Sequence, residues 1–173
     1  MNAPLHAVQL VFLHGLESGP HGSKFQALYD LDPAVHAPDF EGVFDLDARM
    51  AIAERDLADR GRLVLVGSSF GGLVAALYAD RHPDRVAACV LCAPALIADR
   101  WPAVAAIARV PGHTVLLHAR GDDVVDIAWS RAFAVRHGLR LVEVDDDHRL
   151  SASRPLLVRL ASEAMAAARA GAP

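Results

Sequence analysis

Val66-Gly67-Ser68-Ser69-Phe70-Gly71-Gly72 is the stretch on which the reading of this chain turns. It follows the apolar run Arg62 to Val66, which reads as a strand, and leads into Phe70 to Arg81, which reads as a helix. Within it the pattern G-x-S-x-G puts Ser69 at the apex of a sharp, strained strand-to-helix turn, the setting of a serine nucleophile. The residues two places either side of the apex must lack Cβ if strand and helix are to approach closely, and Gly67 and Gly71 meet that need. Gly71 and Gly72 in the first helical turn each cost roughly 1 kcal/mol relative to alanine. Close backbone approach explains them where ordinary helix formation does not. No lysine follows in the place a Walker loop requires, so a phosphate-binding turn is disfavoured.

Outward from this turn, apolar strand-like runs alternate with helical stretches along the whole chain. Strands are expected at Val8 to Leu13, Val35 to Pro38, Arg62 to Val66, Val86 to Cys92, Thr114 to Ala119 and Leu139 to Asp145. Helices are expected at Ser23 to Leu31, Leu46 to Arg60, Phe70 to Arg81, Ile127 to His137 and Pro155 to Arg169, with a short one around Pro102 to Arg109. Ser23 and Asp45 are placed to cap helix starts, Gly61 and Gly138 to cap helix ends, and Pro83 to block continuation of a third helix. Such alternation implies a three-layer α/β/α, doubly wound, mostly parallel sheet, whose ligands bind at the carboxyl ends of the strands.

Three further groups fall at such strand ends. The first strand runs into Phe12-Leu13-His14-Gly15-Leu16, so the backbone N–H groups of Leu16 and Phe70 are candidates to hold an oxyanion, with Gly15 and His14 shaping the loop. After the fifth expected strand come Asp122, Asp123 and Asp126; Asp122 is favoured as the acid because it falls nearest the strand end, Asp123 is the runner-up, and Asp126 suits a helix cap. After the last comes His148, which alone among nine histidines has the position of a general base. His6, His36, His82, His118 and His137 are read as structural or surface residues, and His21 and His113 stay unassigned. The order Ser69, Asp122, His148 is the one that a nucleophile on such a turn imposes.

Composition narrows the function classes. A chain of 173 residues that is 53% apolar has material for one core, and a single domain over residues 1–173 is expected. Its 17 basic and 21 acidic residues are interspersed, with a net charge of −4, so no basic stripe favours nucleic acid. Met1 to Ala7 carries no lysine or arginine, and the apolar run after it is only strand-length, so neither a signal peptide nor a membrane span is expected. Cys89 and Cys92, three apart on one strand, should face opposite sides of the sheet, which argues against a disulfide or a shared metal and for a cytoplasmic protein.

With these residues the chain resembles the α/β-hydrolase superfamily, and within it the small lidless bacterial esterases of the YqiA type. The likeness rests on Phe12-Leu13-His14-Gly15-Leu16-Glu17-Ser18 with Ser23-Lys24, on the Ser69 turn, on Asp122-Asp123-Val124-Val125 and on Asp147-His148-Arg149. Relatives often carry His-Gly-x-x-Asp before the acid; here it is His118-Ala119-Arg120-Gly121-Asp122, with the spacing kept. The resemblance implies a minimal core of six strands ordered 2-1-3-4-5-6. With no substantial lid between Cys92 and Thr114, the shallow acyl pocket would be lined by Leu16, Phe70, Trp101 and Trp129. It implies a monomeric or homodimeric serine esterase, free of metal and cofactor, that cleaves a small carboxylic ester through an acyl-enzyme. An acyl-thioesterase, or a hydrolase-fold module that binds without catalysis, is the alternative.

Overall fold

A computed structural model describes residues 8–171; His6 and the remainder of the segment before Val8 lie outside it. Five strands form one parallel sheet in the order β1-β2-β3-β4-β5: β1 Val8–Leu13, β2 Arg62–Ser68, β3 Val86–Cys92, β4 His113–Ala119 and β5 Arg140–Val144. The helices are α1 Ser23–Leu31, α2 Leu46–Leu57, α3 Phe70–Arg81, α4 Ala103–Ala106, α5 Ile127–His137 and α6 Arg154–Ala170. β2 and β3 are central and almost wholly buried, so their inward alternation is lost in continuous apolar runs.

The sheet has five strands where six were expected. Val35 to Pro38 contributes a single parallel bridge, Val11 with His36, on the outer side of β1, where the second strand was placed. The N–H of His36 donates to the Leu10 carbonyl and the N–H of Phe12 to the His36 carbonyl. The next donor along that edge would be the N–H of residue 38, and proline has none, so the ladder stops after one rung.

Two cores flank the sheet. One joins α2, α3, α4 and α5 to residues such as Leu13, Leu65 and Leu91; the other joins α1 and α6 to Phe12, Val66 and Leu117. α3 has no polar stripe, and Phe70 through Ala79 are all buried, because this helix packs behind the centre of the sheet. Cys89 and Cys92 are free, buried and on opposite faces. Asp45 caps α2, Asp126 caps α5, and Gly138 ends α5 in the left-handed conformation. The other two expected caps differ. Gly22 precedes α1, and Ser23 is already its first helical residue. α2 ends at Leu57 with Ala58 following, short of Gly61.

Candidate active site

Ser69 sits between β2 and α3 with φ 53° and ψ −117°, a conformation that costs a non-glycine residue about 1–3 kcal/mol. The surroundings hold it there. Its N–H donates to the Cys92 carbonyl at 2.9 Å, and its own carbonyl accepts from the N–H of Ala95 at 3.0 Å, so the end of β3 clamps the turn. Neither glycine has room for a side chain: a Cβ on Gly71 would stand 2.0 Å from the Leu13 carbonyl oxygen, and one on Gly67 would stand 2.5 Å from the Gly71 carbonyl oxygen. The turn thus presses against the end of β1, where Gly15 begins the neighbouring loop with its Cβ position 3.4 Å from that of Ser69.

Three side chains from separate strand ends meet here. Ser69 Oγ is 3.0 Å from His148 Nε2, and His148 Nδ1 is 2.8 Å from Asp122 Oδ2. Asp122 is the carboxylate that reaches the ring; Asp123 is exposed. The Asp122 side chain is fully buried yet satisfied, since Oδ1 accepts from the N–H groups of Val124 and Val125 at 2.9 and 2.8 Å. Burial pushes its carboxyl up, but the Val125 N–H, the His148 ring and the Val124 N–H outweigh that and hold it below the usual carboxylate range. With an ionised acceptor at Nδ1, that nitrogen keeps its proton, and Nε2 turns a lone pair toward the serine.

The expected oxyanion donors, the N–H groups of Leu16 and Phe70, donate to no backbone acceptor among the described residues. His14 belongs to the loop's framework. Its Nε2 accepts from the Phe40 N–H at 2.9 Å, which leaves the proton on Nδ1, 2.9 Å from the Gly15 carbonyl. Trp101 lies with its ring 5.2 Å from that of Phe70 and Trp129 stands half-exposed in the first turn of α5. Two clefts, of about 390 and 220 Å³, lie at the amino ends of the strands, one among Ala79, Pro83 and Ala108 to Pro111, the other between His113, Arg140 and α6.

Three residues of the site escaped the sequence reading as parts of it. Arg49, on α2, is fully buried and donates to the carbonyls of Val43, His14, Gly15 and Phe40. Its place in register with Ala53 and Leu57, at i, i+4 and i+8 on the inward face, was the signal available. His118, read as structural, is buried against Asp122, four residues on. Lys24 donates from Nζ to the Arg149 carbonyl at 2.6 Å and so ties α1 to the loop that carries His148.

A family model described as alpha/beta hydrolase fold matches residues 14–123. No curated protein matches the chain. Among solved structures it is similar to a protein from Xanthomonas campestris pv. campestris assigned to the hydrolases of the α/β superfamily, at 28% identity and TM-score 0.73 over 90% of this chain and 96% of that one. Est1E from Butyrivibrio proteoclasticus is similar at TM-score 0.76 and 18% identity, over 98% of this chain and 91% of that one. A third, an α/β serine hydrolase without lid from Xanthomonas campestris, gives TM-score 0.71 and 20% identity, covering 92% and 81% respectively.

Proposed function

Because the chain belongs to the alpha/beta hydrolase fold family, we propose that it is a serine hydrolase acting on small carboxylic esters through a Ser69-His148-Asp122 triad. The observation that carries this reading is the unbroken hydrogen-bonded line from Ser69 Oγ through both ring nitrogens of His148 to Asp122. In the reaction His148 Nε2 takes the serine proton as Oγ attacks the ester carbonyl, and the N–H groups of Leu16 and Phe70 hold the oxyanion. The imidazolium, stabilised by Asp122, then gives its proton to the departing alkoxide as the tetrahedral species collapses to an acyl-enzyme. Water repeats the sequence in reverse and frees the acid.

An ester is favoured over an amide. The shallow, lidless acyl site that the resemblance implies would offer little remote binding energy with which to strain a poorer leaving group. No helix among the described residues is long and apolar enough to cross a membrane, and the reading is of a single-domain cytoplasmic enzyme, monomeric or homodimeric. The chemistry as drawn uses side chains and backbone amides alone. Leu16, Phe70, Trp101 and Trp129 would line the acyl side in this reading.

The test is a panel of p-nitrophenyl esters of graded acyl length run beside acyl-thioesters, with Ser69→Ala as control, and labelling by a fluorophosphonate. Wild type should turn over short esters and take the label, and Ser69→Ala should do neither. A wild-type protein inert to every ester, thioester and fluorophosphonate would instead be a binding module that kept the fold.

A further inference from the structure

Arg49 is a buried cation that the hydrolytic steps leave unused. No carboxylate among the described residues pairs with it, and burial pulls its guanidinium down to about 10. Nη1 lies 2.8 Å from the His14 carbonyl, Nη2 lies 3.2 Å from the Gly15 carbonyl, and Nε lies 2.6 Å from the Val43 carbonyl. Its carbon Cζ is 5.1 Å from the ring centroids of both Phe40 and Phe70. A desolvated charge held only by carbonyl dipoles and ring faces is a liability to folding unless it serves something else.

What it touches indicates the service. The Gly15 carbonyl and the Leu16 N–H are two ends of one peptide group, so whatever fixes the carbonyl also fixes the direction of that N–H. Two donors fix it: Arg49 Nη2 and the protonated Nδ1 of His14. Hydrogen bonds to a carbonyl polarise its peptide group and strengthen the N–H at the far end. One of the two rings against which the guanidinium rests belongs to Phe70, whose own N–H is the other oxyanion donor of the proposed mechanism.

We propose, building on the serine-hydrolase reading, that Arg49 is a positioning residue of the oxyanion hole, clamping the Gly15–Leu16 peptide and supplying unneutralised positive charge that the oxyanion at Ser69 complements. The contribution appears only as negative charge develops, so it belongs to kcat and not to substrate affinity.

The experiment compares wild type, Arg49→Met and Arg49→Lys for kcat and KM on p-nitrophenyl acetate, with ¹⁵N–¹H spectra that follow the Leu16 amide. Arg49→Met should lose on the order of 10²-fold in kcat with KM within about threefold. Arg49→Lys, which keeps charge without the fork, should recover part of that loss. The Leu16 resonance should move in both variants. A folded Arg49→Met with wild-type kcat, or a loss seated wholly in KM, would overturn the assignment. If Arg49→Met does not fold, Arg49→Lys decides by the same two criteria. Wild type lacking Ser69-dependent turnover would instead sink the serine-hydrolase reading itself, and the assignment with it.

Discussion

His118 Nε2 lies 3.0 Å from Asp122 Oδ2, the same oxygen that meets the ring of His148. That nitrogen also faces the Val125 carbonyl at 3.0 Å, and two acceptors require it to carry the proton. Nδ1 lies 2.7 Å from the Ser130 hydroxyl, which can donate to it when the ring is neutral. Desolvation, the largest influence, holds its pKa below the ordinary value in spite of the neighbouring carboxylate. His118 therefore steadies Asp122 without neutralising it. His118→Leu should leave the Val125 carbonyl and the Ser130 hydroxyl short of a partner and cost about 1–3 kcal/mol in urea unfolding. Unchanged stability would show that this contact carries no weight.

Of the two adjacent aspartates, only Asp122 meets a ring. Asp122→Asn should lower kcat by about 10⁴-fold, because an amide no longer selects the Nδ1–H tautomer or stabilises the imidazolium. Asp123→Asn should leave kcat within about twofold, since its side chain is exposed. Steady-state kinetics on one short ester separates the two, and the reverse pattern would move the acid to Asp123.

Legibility in the sequence followed how local the cause was. Buried parallel strands advertise themselves as apolar runs, and the Ser69 turn is a steric requirement written in glycines, so both could be read from neighbouring residues. The missing sixth strand turned on the one N–H that Pro38 lacks, a detail below the resolution of hydrophobic patterning. Position relative to the strand end favoured Asp122 over Asp123, but the side-chain turn in which Oδ1 takes the Val124 and Val125 amides and leaves Oδ2 for the histidines left no mark in the sequence. Arg49 stayed hidden because its partners are carbonyls, and backbone acceptors leave no mark on residue identity.

Gly71 should be among the least replaceable residues. Its added Cβ would fall 2.0 Å from the Leu13 carbonyl oxygen and 2.7 Å from that of His14, both backbone atoms that no rotamer change can move. Gly71→Ala should destabilise by more than about 3 kcal/mol or abolish folding. Gly112→Ala meets open space and should be near neutral. Thermal melts of the two variants make the comparison, and equal melting temperatures would contradict the packing described at the turn.

The tie from Lys24 to the Arg149 carbonyl holds the loop that presents His148 from outside the triad. Lys24→Met keeps most of the apolar stem while removing the donor. A ring freed by even 1 Å loses alignment with Ser69, and kcat should fall by about 10-fold, up to 10²-fold, at similar KM. The same variant should take a fluorophosphonate label more slowly than wild type. Full activity would mean that the Asp146 and Ser153 contacts, at 2.8 Å, suffice to hold the loop.

Acid should weaken the fold before any carboxylate titrates. Burial, the dominant influence on both, holds the pKa values of His14 and His118 below the ordinary histidine value. In the unfolded chain each titrates near about 6.5. As pH falls through that value the unfolded chain takes up protons that the folded one refuses, so stability declines from there until the lower folded pKa is passed. Above the unfolded value the contribution is constant. Urea midpoints for wild type should accordingly fall between pH 7.5 and about 5.5. His118→Gln, whose amide can still donate toward Asp122, should show a shallower decline over the same range, and the difference between the two curves isolates the one ring. Parallel curves would mean that His118 takes its proton as readily in the fold as outside it, against the neutral ring that burial favours.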